Sequence, residues 1–200
     1  MRDPFETNPL SFGQVAQAIC YGNTPDPETV DRLRYLRQLG IPFSESERTG
    51  SGFRKNYTFD QLFECALAVE WIRWGGKPRH VAEAILRNRA DVGDVGRKVL
   101  KGLKDEDLKR ALSLKGGLHQ PTGDEILAIL SREAKNSIYG LDLVKRSAKT
   151  PGAGTEGLEF ARRLPVFGRA TYEPVVPLFQ LVASLVAHAR NAPETRPGPR

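Results

Sequence analysis

Hydrophobic positions recur with helical period along the first ninety residues, and polar or glycine-bearing breaks separate the runs. Ser11-Phe12-Gly13-Gln14 forms a capping-box pattern, after which Val15, Ala16 and Ile19 fall on one face; this predicts a first helix over about 11–20. Asp26-Pro27 opens a second helix, with an Asp N-cap and Pro at a tolerated first position. Val30, Leu33, Leu36 and Gly40 lie along one side of it, and Gly40 and Pro42 end it. Residues 43–57 set two polar arms around Gly50 and Gly52, the pattern of a small β-hairpin with a basic tip and return arm. Thr58-Phe59-Asp60-Gln61 repeats the capping box, and Leu62, Phe63, Ala66, Val69 and Ile72 carry a third helix to Gly75-Gly76. Pro78 starts a fourth, with Val81, Ala82, Ile85 and Leu86 as its apolar face.

Beyond residue 92 the pattern continues as helix. Val95, Val99, Leu100, Leu103, Leu108 and Leu112 predict an amphipathic helix over 94–114, with a basic side of Arg97, Lys98, Lys101, Lys104, Lys109 and Arg110. Residues 113–123 read as a Gly/Pro loop. Thr122-Gly123-Asp124-Glu125 then caps one or two further helices to about Val144. Lys149–Gly157 is a Pro/Gly-rich linker, and 191–200, with three prolines and no apolar cluster, reads as a disordered tail. Between Glu173 and Arg190 there is no formal charge, but the run is shorter than the roughly 20 apolar residues that a span needs. Its apolar residues, Leu178, Phe179, Leu181, Val182, Leu185, Val186 and Ala189, form one helical stripe with Gln180, Ser184 and His188 opposite. Such a stripe is covered either by the chain's own core or by a second copy; in the latter case Leu178, Leu181, Val182, Leu185 and Val186 are the dimerisation residues.

Facing away from the apolar side of the second helix are Arg32, Arg34, Tyr35 and Gln38, side chains suited to phosphate oxygens and to base edges in a major groove. The order of helix, basic helix, hairpin, helix, glycine turn and helix resembles the N-terminal domain of the mercury-resistance-regulator (MerR) family of transcription factors. Phe12-Gly13-Gln14-Val15-Ala16 resembles that family's opening helix, and Leu33-Arg34-Tyr35 with Leu39-Gly40-Ile41 resembles its recognition helix and following turn. Gly52-Phe53-Arg54 followed by Tyr57 resembles the wing, and Gln61-Leu62 through Trp74-Gly75 the next helix. The wing spacing is one residue longer than the family pattern, the connection 20–25 is longer than its tight turn, and Glu28 and Asp31 put acid near the reading face. The resemblance covers about the first 90 residues only and implies a winged helix-turn-helix domain over 1–92; the pattern beyond it predicts a helical region over 93–147, in a mainly α chain. A linker over 148–157, a C-terminal region over 158–190 with its amphipathic helix, and the tail complete the division. The resemblance also implies DNA contacts from Arg32, Arg34, Tyr35 and Gln38 on the helix and Arg48, Arg54, Lys55 and Tyr57 on the wing.

Charge sharpens this picture. The net charge of +6 lies entirely beyond residue 92, where 18 Lys+Arg face 12 Asp+Glu, while residues 1–92 hold 12 of each. Residues 32–55, however, carry six basic side chains and two acidic ones, so a basic face on a neutral domain is expected, with few phosphate contacts. Cys20 and Cys65 sit among apolar residues as structural thiols. His80, His119 and His188 lack ligand spacing, so neither metal nor other cofactor is expected. No nucleophile–base pairing or phosphate-binding loop is present, which argues against an enzyme. The expected function is a sequence-specific transcriptional regulator that binds duplex DNA as a homodimer in the cytoplasm, at the nucleoid, with RNA polymerase as a further partner and no membrane role. The alternatives are a winged-helix protein–protein adaptor and a phage- or excisionase-like architectural DNA-binding protein.

Overall fold

The structure, a computed structural model, describes residues 4–44, 56–73, 75–113, 125–133, 138–146 and 175–193. The described chain is mainly helical. Helix α1, Phe12–Ile19, begins at the expected capping box: the Gln14 N–H donates to Ser11 Oγ at 3.3 Å, and the Ser11 N–H donates to Gln14 Oε1 at 2.9 Å. Two amides that the first helical turn cannot satisfy internally are thereby paired. Helix α2, Pro27–Gln38, is capped by Asp26, whose Oδ1 accepts from the Thr29 N–H at 2.7 Å. It ends where Gly40 takes φ +97°, a left-handed turn that glycine adopts without Cβ strain.

Helix α3, Phe59–Arg73, starts from the second capping box, in which the Thr58 N–H donates to Gln61 Oε1 at 3.0 Å and the Gln61 N–H to Thr58 Oγ1 at 3.4 Å. It is buried on every side from Leu62 through Trp71, because α2, the next two helices and the C-terminal helix all pack on it. Helix α4 is Pro78–Arg87. The single helix expected over 94–114 is two: α5, Arg89–Gly102, and α6, Asp105–Ser113. Leu103 and Leu108 are five residues apart, out of step with a straight helical stripe. A break at 103–104 restores the phase, Asp107 accepts the Lys104 N–H at 2.9 Å, and three acidic residues occupy the positive end of α6.

The helices expected up to Val144 are instead strands, β1 (Glu125–Glu133) and β2 (Ile138–Arg146), antiparallel with Glu125 opposite Arg146 and Glu133 opposite Ile138. Strand β3, Val175–Pro177, pairs with the other edge of β1, which gives the order β2-β1-β3. A short apolar run such as Ile126–Leu130 suits either state. The second run, Ile138–Val144, follows at hairpin distance and supplies the partner that decides it. Residues 114–124, the 148–157 linker, 158–174 and 194–200 lie outside the described residues, as does the wing over 45–55. Past residue 55 the chain is tied down by an antiparallel bridge between Leu10 and Tyr57, whose N–H groups donate at 3.0 and 2.8 Å, and no winged hairpin is seen among the described residues.

Helix α7 is Leu178–Asn191, and its apolar stripe is covered by the chain's own core, the first of the two alternatives. Leu178, Leu181, Val182, Leu185 and Val186 are each at most 1 % exposed within the single chain, packed on α1, α3, α5 and α6. Their stripe is already covered. The opposite side is also buried at Ser184 and His188, so α7 has no solvated face there. One hydrophobic cluster runs from Phe5 to Ala189 and takes in residues on both sides of position 92. Among the described residues no helix is long and apolar enough to cross a membrane.

Candidate nucleic-acid interface

Helix α2 buries Thr29, Leu33 and Leu36, so most of the residues between them are turned outward. Arg34, Tyr35 and Gln38 are exposed and lie along the outer side of the helix, as expected; Arg32 does not join them, because helical spacing sets it beside Leu36 at the edge of the buried seam, with its side chain 26 % exposed. Both arginines are engaged with acids of their own helix. Arg32 pairs with Glu28 one turn earlier, and Arg34 Nη1 lies 3.1 Å from Asp31 Oδ1 with both side chains about two-thirds exposed (65 % and 72 %). Exposed pairs at this spacing contribute about 0.3–0.5 kcal/mol, far less than a charge-assisted bond to phosphate at a desolvated interface. They orient the arginines without locking them.

Arg48, Arg54 and Lys55 lie outside the described residues. Tyr57 is described, and its side chain is a correction: it is 1 % exposed, packed edge-on against Phe43 with ring centroids 5.0 Å apart, and its hydroxyl has no hydrogen-bond partner. Burial pushes the phenol pKa up. Tyr57 is therefore a core residue and not a surface contact; its backbone bridge to Leu10 fixes the same point. Cys20 and Cys65 are buried, and burial raises the Cys65 pKa. Neither thiol meets the exposure that reactivity requires.

Sequence reasoning passed over a set of buried charges beneath α2. Glu70 on α3 accepts the Tyr21 hydroxyl at 2.8 Å and pairs with Arg73, and Arg73 Nη1 donates to the Ile19 carbonyl at 3.3 Å. Arg73 Nη2 reaches Thr29 Oγ1 at 3.4 Å, and the Thr29 hydroxyl donates to Asp26 Oδ2 at 2.8 Å. The two Thr29 donors hold the Asp26 carboxyl below the ordinary value of 3.8. At the other end of α2, Glu64 Oε2 accepts Arg89 Nε at 3.1 Å and Nη2 at 2.8 Å, while Nη2 also meets the carbonyls of Gly40 at 2.9 Å and Pro42 at 3.0 Å. The available signal was Glu64 and Glu70 standing inside the apolar run Phe59–Trp71, since a carboxylate is seldom buried without a partner.

No protein-family model, curated protein or solved structure matches the chain.

Proposed function

We propose that this chain is a sequence-specific transcriptional regulator of the MerR-like winged-helix kind, with α2 as the helix that enters the major groove of duplex DNA. The observation that carries the reading is the outer side of α2, where Arg34, Tyr35 and Gln38 stand exposed, with Arg32 at the edge of the side that is fixed in the core. Side chains of this kind can combine phosphate anchoring with base recognition. Arg48, Arg54 and Lys55 serve as wing contacts in this reading. Two copies would read an inverted repeat, since one small module seldom covers enough base pairs for useful specificity. Their contact would use a surface other than the α7 stripe. Action at the nucleoid with RNA polymerase as a partner follows from the same reading.

A second reading, a protein–protein adaptor, is favoured by one observation: Glu28 and Asp31 neutralise Arg32 and Arg34 on the very side that would meet DNA. Selection of bound duplexes from a random pool, followed by affinity measurements on the enriched and a scrambled duplex at two salt concentrations, separates the two. A regulator enriches a symmetric motif and loses affinity as salt rises. Arg34→Ala is expected to cost about 1–3 kcal/mol on the enriched site and much less on the scrambled one. No enrichment, with no affinity at low salt, selects the adaptor.

A further inference from the structure

Only three side chains of α2, Thr29, Leu33 and Leu36, are buried. Apolar contact is not directional, so so narrow a seam leaves a helix free to roll or slide. Hydrogen bonds are directional, weakening steeply as their angle departs from linearity, and α2 has them at both ends. At the entry, the Glu70–Arg73 pair joins the end of α1, through the Ile19 carbonyl, to Thr29 in the first turn of α2. At the exit, the Glu64–Arg89 pair holds the carbonyls of Gly40 and Pro42. Both glutamates belong to α3 and are 5 % exposed.

We propose that Glu64–Arg89 and Glu70–Arg73 are positioning pairs that set the pose of α2 at its two ends. In each pair the glutamate is buried while the arginine is a quarter to a third exposed; such pairs add little net stability, because desolvation of the acid offsets the attraction and solvent screens the exposed partner. A pair that gives little stability but several directed bonds is suited to selecting one pose among near-equal ones. The consequence for DNA rests on the reading of α2 given above: base contacts tolerate displacement of only about 0.5 Å, so loss of a brace should reduce discrimination before it reduces folding.

The test uses the double variant Glu64→Gln/Arg89→Met, which removes the exit brace without leaving a buried charge unpaired. Nitroxide labels at Tyr35→Cys on α2 and Glu83→Cys on α4, both exposed positions, report the pose by electron–electron double resonance. The parent is expected to give one narrow distance, and the double variant a broadened or split distribution while still unfolding cooperatively. An unchanged narrow distribution overturns the proposal. Should the double variant fail to fold, Arg89→Lys decides in its place: it keeps the charge facing Glu64 but lacks the guanidinium fork, and a parent-like distribution overturns the proposal there too. In unlabelled protein the preference for the enriched over the scrambled duplex is expected to fall roughly tenfold, within the range supplied by one base contact, with affinity for the scrambled duplex unchanged. A parent that binds no duplex refutes the DNA reading alone, since the distance measurement still decides the braces.

Discussion

Gly22 and His188 meet where the α1–α2 connection touches α7. Gly22 takes φ +77°, and a Cβ added there would stand 2.5 Å from His188 Nδ1. Gly22→Ala therefore meets backbone strain and a clash together, and is expected to cost about 1–3 kcal/mol of unfolding free energy by urea titration. The imidazole itself is 8 % exposed with Nε2 unpartnered, and burial depresses its pKa below the ordinary 6.5. As pH falls below about 6.5 the unfolded chain takes up this proton before the folded one does, so stability declines with acidification until the folded value is passed. Thermal unfolding at pH 7.5 and 5.5 should show that decline in the parent and a smaller one in His188→Gln. Equal declines would assign the effect to other groups. Asp26 has a lowered pKa too, but for the opposite reason: Thr29 stabilises its charged form, so its share of stability is full well above 3.8 and is lost as pH falls through that value to the lower folded one.

Among the elements, α5 lies so close to α3 that a Cβ on Gly96 would fall 2.7 Å from Phe63 Cδ1. An exposed helical Gly→Ala change would gain up to about 1 kcal/mol from propensity. Here the clash outweighs it, and Gly96→Ala is expected to lower the melting temperature, at a cost of about 1–3 kcal/mol. A rise in melting temperature would mean that the two helices separate easily. Legibility in the sequence follows the same distinction between local and distant partners. Ser11/Gln14, Asp26/Thr29 and Thr58/Gln61 are pairs three residues apart, so the starts of α1, α2 and α3 and the outward set Arg34, Tyr35 and Gln38 could be read directly. The Leu103–Leu108 break was also written in the spacing, but a longer helical stripe absorbed it. What decides β1 is β2, what buries Tyr57 is Phe43 and Leu10, and what hides Glu64 is Arg89, 25 residues away. None of those pairings has a local period, which is why Tyr57 read as a surface residue and 125–146 as helix.

For the whole molecule the decisive feature is that α7 fills the space between α1, α3, α5 and α6. Leu181→Asp with Leu185→Asp puts two unpaired carboxyl groups into positions at most 1 % exposed, and the several kcal/mol that each costs even after protonation and relaxation together rival the roughly 5–15 kcal/mol that typical domains possess. Circular dichroism is expected to show loss of helix beyond α7 itself. A folded double variant of lower mass by light scattering would instead restore the intermolecular role of the stripe. Because α7 is remote in sequence from the helices it covers, its position also governs when the fold can close during synthesis. Ninety residues separate the end of α4 from the start of α7, which at about 5–20 residues per second is a delay of roughly 5–20 s. Throughout that interval the nascent chain exposes the apolar surfaces of its early helices to solvent, as a client for chaperones and a substrate for proteases. A ribosome that stalls before codon 178 would thus release a protein lacking its final wedge, and pulse-labelled chains ending there should be degraded far faster than chains that include α7.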